Sequence, residues 1–293
     1  MGTAENVLPS YGCIVLTEGR RPEDLARSLD SLLRQRDVEL DVVVVGNGAE
    51  PNGVPSSVHK VVLPENQGVP GGRNAGVPHV QGDLLLFLDD DALFPDEGAL
   101  ARIARMFADD ELLGAVSPRL DDPDGRPTPR NWVPRVRVGD KSRSSEVASI
   151  CEAASVIRRR SFEAAGGWAG NFFFLHEGLE LAWRILDLGD RLWYAGDVVA
   201  LHPAPPARQL PRSRYHSSRN RVWLARRNLP LPVAATHLTL WFLRSAASLR
   251  SRADAQELLR GYRDGLREPP GDTRRLRWRT MWRMTTVGRP PVI

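Results

Sequence analysis

Three consecutive aspartates, Asp89 to Asp91, follow a short apolar run at residues 84–88. The run contains no polar residue, which predicts a strand buried on both faces of a mostly parallel sheet. Ligands of open α/β sheets bind beyond the carboxyl ends of such strands. Neighbouring carboxylates repel one another unless a cation neutralises them, and oxygen ligands suit Mg²⁺ or Mn²⁺. A solvated acidic turn is the alternative, but the position after a buried strand favours a metal and diphosphate site.

Strands and helices alternate along the first 120 residues, which predicts crossover units and a parallel sheet. The predicted strands lie at residues 12–16, 40–45, 58–63, 84–88 and 113–116. The loops around Thr17, Asn47, Arg73 and Asp89 then fall at one edge of the sheet. None has the dinucleotide-binding fingerprint or the phosphate-binding loop that ends in Gly-Lys-Ser/Thr, which argues against a dehydrogenase and an ATPase.

The middle of the chain predicts an irregular segment and then a return to regular elements. Residues 121–145 are polar and contain prolines, which is typical of a mobile surface loop. The elements predicted after it are a strand at 150–157, helices at 160–165 and 179–188, and two closing strands at 193–194 and 198–202.

The bulk composition is that of a folded protein with an anionic partner. The 293 residues carry a net charge of +4, and arginines crowd into the second half. This asymmetry suggests phosphate, nucleic acid or membrane headgroups. Cys13 and Cys151 lie in apolar segments and predict two buried free thiols. With no signal-peptide pattern and no apolar run of about 18 residues, we expect a cytoplasmic protein.

A proline-rich stretch at residues 203–211 predicts a boundary between a domain at 9–205 and a helical extension at 206–293. Its arginines include the cluster Arg208, Arg212, Arg214, Arg219, Arg221, Arg226 and Arg227, and its tryptophans lie at 223, 241, 278 and 282. This pattern fits helices at a membrane interface, with peripheral contact at the inner face. An ordinary helical cap on the sheet explains it equally well.

Five segments, taken in order, resemble the inverting nucleotide-sugar glycosyltransferases of family 2, which have the GT-A fold. The segments are residues 13–34, 42–48, 66–76, 86–91 and 173–184. No single motif is decisive, but their order is specific, and together they cover about residues 10–205. The chain is most similar to the bacterial branch that makes rhamnosyl and related linkages on cell-envelope glycans.

The resemblance implies roles for the acidic cluster. Asp91 corresponds to the metal ligand, and Asp89 to the residue that hydrogen-bonds the ribose of the donor. Asp90 could serve either purpose. His202, at the end of the last predicted strand, matches a position that often reaches the metal or the diphosphate, although a lone histidine there is more often structural.

The resemblance also implies where the base of the donor binds. Thr17, followed by Glu18, and Asn47 end adjacent strands at the position where the family holds a pyrimidine. Many relatives carry an acidic pair or Asp-Asn at the second loop, whereas this chain has Gly46-Asn47. An amide can still contact uracil or thymine, because it offers a donor and an acceptor. Arg73, after two glycines, could reach the base or diphosphate, or be an exposed arginine at a helix start.

An inverting transfer needs a carboxylate that takes the proton of the acceptor hydroxyl. The family usually places Glu-Asp there, and its second acid is often the base, but this chain reads Glu177-Gly178. Glu177 is therefore the nearest candidate, followed by Glu180 one turn later and, more remotely, His176. The alternative for Glu177 is an acid that interacts with a helix dipole.

The sequence predicts a metal-dependent transferase that moves a sugar from a UDP-sugar or TDP-rhamnose to a carbohydrate acceptor, either free or lipid-linked. The setting would be envelope glycan synthesis, with no nucleic acid partner. One alternative is a sugar-phosphate nucleotidyltransferase, but the loop at residues 16–21 has only one glycine, which argues against it. Others are a nucleic-acid-binding module that uses the C-terminal tail, and an inactive transferase, given Gly46 and Gly178.

Overall fold

The computed structural model describes residues 8–204 and 211–292. Its strands form one eight-stranded sheet in the order β3-β2-β1-β4-β7-β5-β8-β6. The strands are β1 (Tyr11–Thr17), β2 (Leu40–Asn47), β3 (His59–Leu63), β4 (Leu84–Asp89), β5 (Leu113–Asp121), β6 (Ser145–Val147), β7 (Ala154–Arg158) and β8 (Arg191–Leu201).

The α-helices of the described residues cover both faces of this sheet. They are α1 (Pro22–Leu33), α2 (Gly68–Gly76), α3 (Ala99–Asp109), α4 (Arg159–Ala165), α5 (Glu177–Leu188), α6 (Pro211–Asn228), α7 (Leu231–Ala247), α8 (Arg252–Arg267) and α9 (Trp278–Thr286). The first helix follows its sequence signals: Pro22 opens it, and Leu25, Leu29 and Leu32 point into the core.

The sheet is mixed but mostly parallel, as predicted. Strands β3, β2, β1 and β4 run parallel, as do β5 and β8, while β7 lies antiparallel between β4 and β5. The register pairs Leu16 of β1 with Asp89 of β4, and Thr17 with Gly46 of β2. The carboxyl ends of three strands therefore meet at one edge, where the polar loops collect.

The C-terminal helices share a hydrophobic core with one face of the sheet. Trp223 and Leu224 of α6 and Met281 and Met284 of α9 are buried in the cluster that contains Ile14 of β1. This confirms a helical C-terminal region that packs on the sheet. Residues 205–210, with the predicted domain boundary and Arg208, lie outside the described residues, so that boundary stays a prediction.

The segment around Arg73, predicted as a loop at the sheet edge, is a glycine-rich helix, α2. Its glycines serve close packing: a Cβ on Gly72 would lie 2.5 Å from the Leu16 Cδ1 atom, and one on Gly76 would lie 2.6 Å from the Ile14 Cγ2 atom. Only a helix without side chains at these positions can approach β1 so closely. Arg73 consequently projects from a fixed helix.

The two predicted closing strands are one strand, β8. The register against β5 shifts between Pro118 and Arg119, which pair with Ala195 and Val199, so residues 196–198 form a bulge. A Cβ on Gly196 would lie 2.5 Å from the Ser142 carbonyl, so this glycine admits a neighbouring loop. The strand β6 falls at the end of the segment predicted to be a loop, and it pairs with β8.

Candidate active site

Asp89, Asp91 and His202 converge at the carboxyl edge of the sheet. One ligand atom from each lies within 4.8 Å of the others. The Nε2 atom of His202 lies 3.3 Å from Asp91 Oδ1 and 3.8 Å from Asp89 Oδ2. The structure therefore brings the sequence-predicted metal ligands together, with the ribose candidate Asp89 beside them.

A short backbone bridge brings His202 to the aspartates. Leu93, just after the acidic triplet, exchanges two hydrogen bonds with Leu201, the last residue of β8, at N–O distances of 3.0 and 2.8 Å. The ring of His202 packs edge-on against Trp132, with the ring centroids 5.3 Å apart. The histidine is thus fixed by both backbone and side-chain contacts.

The charges of Asp91 and His202 stabilise each other. Burial alone would raise the pKa of Asp91, but the hydrogen bond and charge of His202, together with Arg21, hold that pKa below its usual value. Burial alone would lower the pKa of His202, but the hydrogen bond to Asp91 and the charges of Asp91 and Asp89 raise it. The pair favours an ionised carboxylate at the centre of the cluster.

Asp90 faces inward and holds the loop. Thr17 Oγ1 donates a hydrogen bond of 2.6 Å to Asp90 Oδ2, and Arg21 Nη2 donates one of 2.6 Å to Oδ1. Burial raises the pKa of Asp90 to about 6, against the opposing effects of Thr17 and Arg21. Arg21 also donates to Asp91, so one arginine bridges the two carboxylates and partly offsets their repulsion.

The donor set fits a divalent ion. Two carboxylates and one imidazole offer two oxygens and a nitrogen, and carboxylate oxygens suit Mg²⁺ or Mn²⁺. Three protein ligands leave other coordination positions for substrate oxygens. The acidic side chains are partly exposed, at 30% for Asp89 and 9% for Asp91, so ligands can approach from the open side.

Arg73 is buried at 1% exposure, so the alternative of an exposed arginine does not hold. Its Nη2 atom donates to Asp89 Oδ1 at 2.8 Å and to the Glu152 carbonyl at 2.7 Å. The guanidinium lies over the Trp168 ring, 5.0 Å from its centroid. Arg73 therefore fixes the orientation of Asp89.

A cavity of about 520 Å³ opens beside the acidic residues. Its lining includes Leu16, Thr17, Glu18, Arg20, Arg21, Asn47, Val69, Asp89, Asp90 and Phe174. Five of the residues predicted to bind the nucleotide sugar thus surround one space. We call it the first cavity.

The Asn47 amide organises one wall of the first cavity. Its Nδ2 atom donates to the Gly68 carbonyl at 3.0 Å and to Asn66 Oδ1 at 3.1 Å, and its Oδ1 accepts from the Gln67 amide at 2.9 Å. These bonds hold the loop that opens α2. The predicted contact between Asn47 and a base stays a prediction.

Glu180 lies in an ion pair network with no solvent exposure. Its Oε2 accepts from Arg184 Nε and Nη2 at 2.9 and 2.5 Å, and its Oε1 accepts from Arg227 Nε at 2.9 Å. These contacts join α5 to α6. They fit a residue that holds two helices together better than one that exchanges protons with a substrate.

Glu177 begins α5 and is only 1% exposed. Burial, and secondarily the charge of Glu152, raises the pKa of Glu177 well above its usual value. His176 is held between Ser217 and Arg221, and burial lowers its pKa. The role of Glu177 as a base stays a prediction, and its burial leaves a substrate hydroxyl little access.

The loop before α5 contains residues with positive φ, and hydrogen bonds from the C-terminal region hold it in place. Phe173, Leu175 and His176 all have positive φ, between 65° and 72°. The Asn220 side chain on α6 donates to the carbonyls of Phe174 and Leu175 at 2.7 and 2.8 Å. Such strain persists only where surrounding contacts enforce it, and it concentrates at functional sites.

A second cavity, of about 930 Å³, adjoins the first and shares Glu18, Val69 and Phe174 with it. The remaining lining residues are Asn66, Gly68, Asn171, Phe173, Ser213, Tyr215, His216, Arg219, Glu257 and Arg260. Phe173 stacks on His216, with the ring centroids 5.7 Å apart. The second cavity thus lies between the sheet and the C-terminal helices.

The sequence did not single out Arg21 and Glu152, which the structure places in the site. Arg21 directly precedes the proline that opens α1, so the sequence indicates that it lies in a loop at the sheet edge. Glu152 lies just before β7, and only the antiparallel pairing of β7 with β4 brings it beside Asp89.

An acidic cluster beyond a central strand, beside a cavity at the sheet edge, suits a divalent ion and a diphosphate ligand. Residues 12–166, more than half of the chain, match the family described as Glycosyl transferase family 2. The chain belongs to this family, which confirms the resemblance drawn from the sequence.

The chain is similar to an uncharacterized glycosyltransferase of Nostoc sp., with 31% identity over 112 residues, and it spans about a third (34%) of that relative. Solved structures share the fold at lower identity. The Pyrobaculum calidifontis mannosyltransferase PcManGT, in complex with GDP-Man and Mn²⁺, has a TM-score of 0.55 and 21% identity, over 96% of this chain and 85% of that one.

GalNAc-T7 with UDP, GalNAc and Mn²⁺ has a TM-score of 0.62 and 14% identity, over 89% of this chain and 56% of that one. S. aureus TarS 1–349 with UDP-GlcNAc has a TM-score of 0.59 and 15% identity, over 88% and 80%. These likenesses confirm the GT-A fold.

Proposed function

We propose that the chain is a metal-dependent, inverting glycosyltransferase that moves a sugar from a nucleoside-diphosphate sugar to a carbohydrate acceptor. The observation that carries this proposal is the convergence of Asp89, Asp91 and His202 beside the first cavity. The named neighbours PcManGT and GalNAc-T7 were solved with Mn²⁺ and a nucleotide or nucleotide sugar, which supports it.

Asp91 and His202 would hold the ion, assisted by Asp89. A bound divalent ion would supply Lewis-acid stabilisation of the charge that develops on the diphosphate leaving group. Arg21 keeps Asp90 and Asp91 in place, and Arg73 does the same for Asp89. The role of these residues is therefore to preorganise the carboxylates before substrate binds.

We expect a pyrimidine diphosphate donor, UDP or TDP, to bind more tightly than GDP. Thr17, Glu18 and Asn47 line the first cavity where the resemblance places the base. The Glu18 carboxylate can accept from the ring N–H of uracil or thymine. The Thr17 hydroxyl donates to Asp90, and the Asn47 amide donates to Gly68 and Asn66, so these two groups would contact a base by exchanging those partners. Calorimetric titration of UDP, TDP and GDP in Mn²⁺ measures the order directly. Tighter binding of GDP than of both pyrimidine nucleotides would show the base assignment to be wrong.

The second cavity is the proposed acceptor site. Its aromatic residues, Phe173, Phe174 and Tyr215, suit the apolar faces of sugar rings, and it adjoins the first cavity. Arg219 and Arg260 add positive charge that suits a phosphate on a lipid-linked acceptor. The acceptor proposed on these grounds is an envelope glycan precursor near a membrane.

We expect the C-terminal helices to bind anionic membranes. Trp278 and Trp282 of α9 are 67% and 72% exposed at i, i+4 spacing, and Leu240 and Leu243 of α7 are also exposed. In the described residues, no helix combines the length and hydropathy that crossing a bilayer requires. Tryptophans and leucines among arginines are typical of an interfacial helix, with about 1 kcal/mol for each basic residue near the surface.

Co-sedimentation with phosphatidylglycerol and phosphatidylcholine vesicles at low and high salt tests this contact. Binding should require the anionic lipid, weaken in high salt, and decrease in a Trp278→Ser, Trp282→Ser variant. A Leu112→Ser variant provides the control, because Leu112 is 58% exposed but lies before β5. Failure to bind anionic vesicles at low salt would return these helices to the role of a structural cap.

Incubation with a panel of UDP- and TDP-sugars and saccharide acceptors tests the function itself. Proton NMR of the product should show an anomeric configuration opposite to that of the donor. Retention of configuration would exclude the inverting mechanism. Release of pyrophosphate from a nucleoside triphosphate and a sugar phosphate would instead favour the nucleotidyltransferase alternative.

A further inference from the structure

Gly178 and Glu152 form one arrangement at the start of α5. The Gly178 amide donates a hydrogen bond of 2.6 Å to Glu152 Oε1. A Cβ atom on Gly178 would lie 2.3 Å from that oxygen and 2.4 Å from the Glu152 Cγ atom. Gly178 does not have a positive φ, so space and not backbone conformation requires glycine here. The Glu152 carboxylate therefore occupies the space that a side chain at position 178 would fill.

Glu152 also lies next to the acidic cluster. The carbonyl of the next residue, Ala153, accepts a 2.9 Å hydrogen bond from the Asp89 amide, and β7 then runs antiparallel to β4. Arg73 Nη2 contacts both the Glu152 carbonyl and the Asp89 carboxylate. Glu152 is thus anchored to the same framework as the proposed metal ligands.

Exposure differs between Glu152 and the other acids of this region. As a residue Glu152 is partly exposed, whereas Glu177 is 1% exposed and Glu180 has no exposure, although burial raises the pKa of Glu152 as it raises that of Glu177. In the described residues, no hydrogen bond reaches Glu152 Oε2, while both oxygens of Glu180 are bound by arginines. Glu152 therefore keeps one carboxylate oxygen that no described protein group binds.

We propose that Glu152 is the catalytic base, and that Gly178 is required because it leaves room for the Glu152 carboxylate. This assignment rests on the proposed function. The acceptor oxygen forms a bond to the anomeric carbon, while the bond from that carbon to the diphosphate oxygen breaks and its electron pair leaves with the diphosphate. The proton of the acceptor hydroxyl goes to Glu152 Oε2. No further reactant is needed.

Glu152→Gln separates the chemical role from the structural one. A glutamine keeps the volume and a carbonyl oxygen that can accept from the Gly178 amide, but it cannot take the proton. Loss of a positioned base typically costs ~10²–10⁴ in rate. We therefore expect that loss in turnover, with unchanged affinity for UDP in Mn²⁺ and an unchanged melting temperature. The matched control, Glu163→Gln on α4, should keep turnover within about tenfold of wild type, because its side chain is 59% exposed and the change does not remove a base.

A second pair of variants moves the carboxylate from position 152 to position 178. Gly178→Asp alone should be inactive, because its side chain collides with Glu152. Glu152→Gly combined with Gly178→Asp removes the collision and places an acid in the first turn of α5, where the helix dipole favours it. The double variant should turn over more than about tenfold faster than Glu152→Gly alone, a partial restoration of a base.

Three results would overturn the assignment. The first is near-normal turnover in Glu152→Gln. The second is a melting temperature of that variant low enough to account for its loss of rate. The third is a folded double variant that turns over no faster than Glu152→Gly. Failure of the proposed function would give a different experimental result. Wild-type protein that neither binds UDP with Mn²⁺ nor transfers sugar from any donor would reject the transferase itself, whereas an active wild type with an equally active Glu152→Gln rejects only this base.

Discussion

Asp91→Asn is expected to abolish the Mn²⁺-dependent binding of a nucleoside diphosphate while leaving the fold intact. Asp91 combines a low pKa with a place between Asp89 and His202, so it supplies the charge that a cation requires. The amide oxygen can still accept from Arg21, and the amide N–H can donate to a neutral His202 ring, which preserves the packing. The loss of affinity should exceed the ~10–100-fold typical of an outer-shell partner.

Thermal-shift and calorimetric titrations of UDP, each with Mn²⁺ and with EDTA, measure the effect of this change. The matched control is Asp30→Asn on α1, because the Asp30 side chain is 62% exposed and forms a surface pair with Arg34. Metal-dependent binding that survives in Asp91→Asn, or full activity in excess EDTA, would rule out the metal assignment.

Glu180→Gln is expected to lower the free energy of unfolding by about 3–5 kcal/mol, the usual cost of leaving buried charges without a partner. Its carboxylate is the shared partner of Arg184 and Arg227, whose side chains are only 8% and 6% exposed. Removing the negative charge leaves two buried guanidinium groups close together between α5 and α6. Chemical denaturation followed by circular dichroism measures the change.

The control for this prediction is Glu163→Gln on α4, where the side chain is 59% exposed. A surface change of that kind typically stays within about 0.5 kcal/mol of wild type. If Glu180→Gln retained full stability but lost turnover, Glu180 would be a catalytic residue and not a structural one.

The features that the sequence predicted well depend on local pattern. Continuous apolar runs identify β1, β2 and β4, and the alternation with helices implies a parallel sheet. The position of Asp89 after such a run places it at the carboxyl edge, because strand direction fixes that edge. The resemblance predicted the convergence of Asp91 and His202, whereas spacing could not, since the two residues are 111 positions apart in the sequence.

The features that the sequence did not predict depend on contacts between distant segments of the chain. Glu177 looks like an accessible acid at a helix start, and only the packing of α5 shows it to be buried. Gly178 reads as the loss of an acid, because the carboxylate that fills its place comes from Glu152 on another element. The glycines of α2 suggest a loop in the sequence, whereas in the structure they allow the helix to pack closely against β1. In each case the sequence gives the residue type but does not indicate which distant residue it contacts.

Release of nucleoside diphosphate from UDP- and TDP-sugars, measured with Mn²⁺ and with EDTA, tests the central claim most directly. The arrangement of Asp89, Asp91 and His202 beside the first cavity predicts release from at least one of these donors in Mn²⁺. That release should fall to the level of the Asp91→Asn variant when EDTA removes the ion. Equal release with and without the metal, or no release from any donor in Mn²⁺, would contradict a metal-dependent glycosyltransferase.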